Sequence, residues 1–121
     1  MSHQAISLKD KLAKFSDQWA PKVIAEINDY QVKLVKLEGE FLWHKHDETD
    51  EAFLCLDGEI KIELRDGQVT LQSGDLFVVP RGAEHRVVSE RESSVLLIEP
   101  RGVLNTGDGN SELAADNDVW I

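Results

Sequence analysis

The residues best suited to chemistry in this sequence are its histidines and the acidic run beside two of them. His44 and His46 stand one residue apart, His85 lies alone further along the chain, and His3 sits in the N-terminal tail, away from that grouping. On an extended strand, residues i and i+2 project from one face, so the imidazoles of His44 and His46 can point at one place. The stretch Asp47-Glu48-Thr49-Asp50-Glu51 follows, and a turn within it can return a carboxylate to the same interior. Imidazole is the commonest side-chain metal ligand, yet a His-x-His pair alone is as readily a solvated or hydrogen-bonded pair. The segments around the histidines therefore have to decide.

Those segments read as strands. From Lys22 to Glu99 the pattern approaches period two. Val23–Ile27 and Val32–Glu38 are followed by strand candidates at Ala52–Leu56, Glu59–Leu64, Gln68–Leu71, Leu76–Val79, Glu84–Ser89 and Val95–Ile98. Turn signals separate them at Asn28-Asp29, Asp57-Gly58, Asp66-Gly67, Ser73-Gly74 and Arg81-Gly82. Many short strands with tight turns and no long helix between them predict an antiparallel sandwich or barrel. Pro80 and Gly82 make the turn that delivers His85 to the start of a strand. Residues 1–20 differ: Leu8, Leu12 and Phe15 fall at helical spacing, Ser7 can cap, and a short amphipathic arm ending before Pro21 is expected. Residues 21–101 form the expected barrel. Residues 102–121, rich in Gly, Asn and Asp, are expected to run as a coil on its surface, pinned by Val119, Trp120 and Ile121.

Bulk properties narrow the partners. The 121 residues fit one domain, and 41% hydrophobic with 30% charged residues is a globular balance. A formal net charge of −10 disfavours nucleic acid and anionic membrane as partners. The single cysteine, Cys55, lies in an apolar run and reads as a small core hydrophobe. No apolar run approaches a membrane span or a signal peptide's core, so a cytoplasmic protein is expected.

Two segments together resemble the cupin superfamily. Its first motif (a glycine, five residues, His-x-His, three or four residues, glutamate, six residues, glycine) is filled by Gly39, His44, His46, Glu51 and Gly58, with four residues rather than five after Gly39. Its second, Gly-x5-Pro-x-Gly-x2-His-x3-Asn, is filled by Gly74, Pro80, Gly82 and His85, with Ser89 where the pattern has asparagine. The resemblance covers about Val32 to Pro100. It implies an all-β jelly-roll barrel holding one divalent metal near its mouth through His44, His46, Glu51 and His85. Asp47, Glu48 and Asp50 compete as the carboxylate, and the spacing to Gly58 favours Glu51. Three imidazoles and one carboxylate suit Fe, Mn, Ni, Co, Cu or Zn and are too rich in nitrogen for Ca or Mg. Two open positions on a six-coordinate ion would be free for water or substrate.

The function so implied is a metal-dependent enzyme acting on a small polar metabolite, either by O2-dependent oxidation or by isomerase or lyase chemistry with the metal as Lewis acid. A non-catalytic module that binds or senses a small ligand is the alternative, since a fold does not fix a function. Alternation places Trp43 and Lys45 opposite the ligands, and places Phe53, Cys55, Val87 and Ser89 inward. Ser89 can reach a bound molecule or satisfy itself within the core. Of Tyr30, Lys33 and Lys36, one can reach a substrate anion, though solvent is the expected place for each lysine. Arg81 and Glu84 can stand at the barrel mouth. Exposed sheet edges and the N-terminal arm invite a homodimer.

Overall fold

The computed structural model describes residues 3–109 and 113–121, so part of each expected terminal segment (residues 1–2 and 110–112) lies outside the described residues. One short helix, α1 (Leu8–Leu12), precedes seven strands: β1 (Lys22–Ile27), β2 (Tyr30–Glu40), β3 (Glu51–Asp57), β4 (Glu59–Leu64), β5 (Gly67–Gln72), β6 (Leu76–Val79) and β7 (His85–Pro100). Every strand pairing is antiparallel. The order β1-β2-β7-β3-β6 forms one wall, and β4, carrying β5, joins the other half of β7. The result is a jelly-roll barrel.

Strand β7 closes the barrel. Residues His85–Val88 pair with β4, while Ser94–Ile98 pair with β3. The sequence reading put two strands here, split by the polar run Glu90-Arg91-Glu92. The chain continues as one strand because its hydroxyls are absorbed locally. Ser89 Oγ donates to Glu59 O at 2.9 Å and lies 2.8 Å from Ser93 Oγ. Both serines are buried, and they stitch β7 to the β3–β4 turn. Gly58 stands at that turn with φ +91, and a Cβ there would lie 2.2 Å from Ser93 Oγ.

The interior follows period two. Val35 and Leu37 of β2, Phe53 and Cys55 of β3, Ile60 and Ile62 of β4, and Val87, Val95 and Leu97 of β7 form one apolar cluster. As alternation predicts, Cys55, Val87 and Ser89 point inward.

The N-terminal helix is shorter than expected. Ser7 caps it, its side chain accepting from Asp10 N–H at 3.2 Å, but the helix stops at Leu12, well before Pro21, and buries no residue. Tertiary bonds to β2 set its end: Lys36 Nζ donates to Phe15 O at 2.6 Å, and Trp19 N–H to Lys36 O at 2.8 Å. At the other terminus the main chain does the pinning. Val23 N–H donates to Val119 O at 2.7 Å and Ile121 N–H to Val23 O at 3.1 Å, while the Trp120 ring stays half in solvent.

Candidate metal centre

His44 and His85 meet across an isolated antiparallel bridge, each amide donating to the other's carbonyl at 2.9 Å. His44 therefore does not lie on a regular strand as its spacing suggested; one bridge within the 41–50 loop sets its direction. The turn before His85 clasps the same loop. Gly82 N–H donates to His46 O at 2.8 Å, and Arg81 N–H to the Asp50 carboxylate at 2.8 Å. Glu51, the next residue, opens β3 with its side chain inward.

These constraints converge four buried side chains. One potential donor atom from each of His44, His46, Glu51 and His85 lies within 4.8 Å of the others. The competing carboxylates are spent elsewhere: Asp47 pairs with Lys45 at 3.3 Å, Asp50 with Arg81, and Glu48 is exposed.

Main-chain carbonyls fix two of the imidazoles. Leu42 O and Ala83 O each lie 3.0 Å from Nδ1 of His44 and His85 respectively. A carbonyl only accepts, so each Nδ1 carries the proton and each Nε2 presents a lone pair. Burial pushes the His44 imidazole down to about 4 and keeps it neutral. Burial opposes ionisation of Glu51, but the neighbouring Glu99, His46 and His85 side chains outweigh it and hold its carboxyl well below the usual range.

The donor set fits a cation. His46 Nε2 and His85 Nε2 are buried without a hydrogen-bond partner, 3.4 and 3.7 Å from Glu51 Oε1. Leaving such groups unsatisfied costs about 1–3 kcal/mol each. An ion among the three imidazoles and the carboxylate would satisfy them together, so this cluster could hold a metal ion.

Residues 32–100 match the Cupin domain family. The chain is a cupin. It is 49% identical to a cupin-2 domain protein from Shewanella frigidimarina, whose crystal structure matches with a TM-score of 0.78 over 79% of this chain and 94% of that one. A Neisseria meningitidis protein of known structure matches at 34% identity and TM-score 0.73, over 80% of this chain and 99% of that one. The uncharacterized protein YdbB of Bacillus subtilis is 35% identical over 96 residues, covering 78% of this chain and 79% of its own length.

Above the four side chains the cupin barrel keeps a cavity of about 40 Å³. His44 and Glu51 form its polar floor, and Val35, Leu37, Phe53, Leu97, Trp19, Phe41 and Asn105 line it. The Trp19 and Phe41 rings stack with centroids 4.8 Å apart. Trp19 adopts φ +61, which is unusual for a bulky side chain. Three bonds hold it: its N–H to Lys36 O, its indole N–H to Glu38 O at 3.1 Å, and Asn105 Nδ2 to its carbonyl at 2.8 Å.

The segment after β7 also covers the histidines. Asp108 N–H donates to Lys45 O at 3.0 Å and Lys45 N–H returns to Asp108 Oδ1 at 2.9 Å. Between these residues and Asn105 sits Gly107. A Cβ there would lie 2.4 Å from Lys45 O, 3.0 Å from the His44 ring and 3.1 Å from the His46 ring.

Other residues of interest fall outside the cluster. The Arg65 guanidinium lies 3.7 Å over the Trp43 ring, on the face opposite the ligands. Glu84 pairs with Arg65 at 2.5 Å. Tyr30 is exposed. Burial pushes the Cys55 thiol up, which makes it a poor nucleophile.

Sequence reasoning missed two residues. Lys33, for which solvent was the expectation, is 3% exposed, and its Nζ bonds Glu99 Oε1 at 2.8 Å. Burial, and the charge of Glu51 beside it, push the Glu99 carboxyl well above the usual range. Parity held the signal: Gln31 and Lys33 alternate in step with Val35 and Leu37, and Glu99 with Val95 and Leu97.

Proposed function

We propose that this cupin holds one divalent transition metal through His44, His46, Glu51 and His85 and acts as a metal-dependent enzyme on a small molecule. The observation that carries this reading is the pair of buried, unpartnered Nε2 atoms of His46 and His85, beside the Glu51 carboxylate. The metal, when bound, would supply Lewis acidity or a redox centre and open positions for a chelating substrate. The chain's own residues do the rest. Leu42 O and Ala83 O keep the imidazoles in the ligating tautomer, and the apolar walls exclude water. The cavity offers few polar atoms beyond its floor. The proposed substrate therefore presents one oxygen-bearing end to the metal and keeps a small apolar body against Trp19, Phe41 and Leu97. A cavity of about 40 Å³ holds only a few waters. A larger metabolite thus needs lining side chains such as Trp19 and Phe41 to shift.

The test is elemental analysis of the purified protein, followed by Co²⁺ titration of metal-stripped samples. Metal content is expected to fall sharply in His44→Ala, His46→Ala and His85→Ala and to stay at the parent level in His3→Ala. Equal content in all four variants sinks the site. With metal loaded, O2 uptake that depends on added metabolite separates oxidation from O2-independent turnover, and neither outcome across a metabolite panel leaves the binding module. We also propose that two copies pair, since edge strand β6 exposes Leu76 and Val78; a monomeric mass in sedimentation at micromolar concentration would refute this.

A further inference from the structure

One rung of the barrel wall carries polar side chains on three adjacent strands, Gln31 of β2, Glu99 of β7 and Glu51 of β3. The β3–β7 register sets Ala52 opposite Ile98, which brings Glu51 opposite Glu99 at the next step. The β2–β7 register sets Gln31 opposite Glu99 and Lys33 opposite Leu97, so Lys33 reaches Glu99 diagonally on the inner face. Lys33 and Glu99 are 3% and 1% exposed, and their bond is 2.8 Å long. The Lys33 ammonium finds one further acceptor, Val103 O at 3.5 Å. Glu99 Oε2 is buried with no protein donor. The carboxyl of Glu99 is thus held at one oxygen by Lys33 and faces Glu51 with the rest of its bonding capacity.

We propose that Glu99, anchored by Lys33, is a positioning residue that fixes the Glu51 carboxylate for metal binding. The inference rests on the metal reading above. A ligating carboxylate on an otherwise apolar wall has several rotamers open to it, and a hydrogen-bonding partner that cannot itself move selects one. Lys33 is what prevents Glu99 from moving, because its buried ammonium is held against Glu99 Oε1 at 2.8 Å. The pair lies behind Glu51, outside the four-residue cluster, so it acts through the ligand and contacts no substrate.

Three variants test this, each read by Co²⁺ affinity, the visible absorption of the Co²⁺ protein, and thermal stability of the metal-free protein. Glu99→Gln keeps a donor for Glu51 and an acceptor for Lys33, and is expected to bind Co²⁺ within about threefold of the parent with an unchanged spectrum. Glu99→Leu removes both and is expected to bind roughly 10- to 100-fold more weakly, the usual range for losing such a partner, with altered band positions and intensities. In Glu99→Leu combined with Lys33→Met, no orphan charge is left, so the fold is expected to hold while the weak affinity and altered spectrum persist. Parent-like affinity and spectrum in the double variant overturn the proposal. If the double variant does not fold, the Gln and Leu substitutions decide: equal affinities overturn it, and rescue by Gln supports it. Failure of the parent protein to bind Co²⁺ is a distinct result, and it refutes the metal reading itself.

Discussion

Replacing Gly107 by alanine should loosen the metal centre without unfolding the barrel. Gly107 has φ +56, a left-handed conformation that costs an L residue roughly 1–2 kcal/mol. The added methyl would also meet Lys45 O at 2.4 Å. That neighbour is backbone, fixed by the His44–His85 bridge next to it, and it cannot step aside. Opposing these terms are the reciprocal Asp108–Lys45 hydrogen bonds, worth about 1 kcal/mol each. The strain therefore matches or exceeds what holds Gly107 and Asp108 against Lys45, and residues 107–109 are expected to lift away while Asn105 keeps its bond to the Trp19 carbonyl. Few barrel contacts depend on residues 107–109, so the melting temperature of the metal-free protein should move little. Amide exchange should rise at Gly107, Asp108 and Gly109, and Co²⁺ should dissociate at least tenfold faster because His44 and His46 lose their cover. The assay is hydrogen exchange together with stopped-flow transfer of Co²⁺ to a chelator. Unchanged protection at these amides together with an unchanged dissociation rate would refute the coupling between this segment and the site.

Three further perturbations follow from the same geometry. Gly58→Ala combines φ +91 with a methyl placed against Ser93 backbone and side chain; a loss of more than about 2 kcal/mol is expected in denaturant unfolding, with metal affinity per folded molecule retained. Ser89→Ala removes a hydroxyl bonded within the wall, so a loss of about 1–3 kcal/mol with unchanged Co²⁺ affinity is expected; a weaker metal site instead would return Ser89 to the cavity. For the metal-free protein, His44 has its folded-state value lowered to about 4 from an ordinary 6.5. The unfolded chain takes up that proton first, so the contribution is full above about pH 6.5 and is lost as the pH falls towards 4, amounting to roughly 3 kcal/mol. Urea unfolding from pH 4 to 7 should show that slope, and His44→Ala should flatten it.

How much of this was legible in the sequence depends on which physical signal each element leaves. The strands with alternating apolar residues and glycine-marked turns were readable because a half-buried strand and a tight turn each constrain residue type directly. The convergence of His44, His46, Glu51 and His85 was legible through the two motifs that resemble the cupin superfamily, while spacing alone placed only His44 and His46 on one face. The merging of two expected strands into β7 was hidden, because Glu90-Arg91-Glu92 looks like a loop unless Ser89 and Ser93 are known to bond each other. The segment from Gly102 was hidden for a similar reason. Its composition reads as coil, and nothing local tells that Gly107 lies against two imidazoles or that Asn105 holds the Trp19 carbonyl. Lys33 and Glu99 share the inward parity of their strands, but residue type points the other way, since single lysines and glutamates are so rarely buried.

The burial of this pair bears on what it is for. Two charges taken from water cost several kcal/mol each, and their attraction repays this only with good geometry and further hydrogen bonds. Here Glu99 Oε2 has no protein donor, so the repayment is incomplete. An apolar pair of similar volume is often neutral or stabilising by roughly 1–4 kcal/mol. Stability therefore gives no reason for a lysine and a glutamate on a wall otherwise built of Val35, Leu37, Val95 and Leu97. Their place does: the register sets Glu99 opposite the one carboxylate of the cluster, and Lys33 where it holds Glu99 in that position. A purely structural role requires the Glu99→Leu, Lys33→Met protein to be less stable than its parent and, once folded, equal to it in metal affinity. Positioning requires the reverse on both measurements: stability kept or raised, and affinity lost. The two roles make opposite demands on one protein, and a melting curve with a Co²⁺ titration separates them.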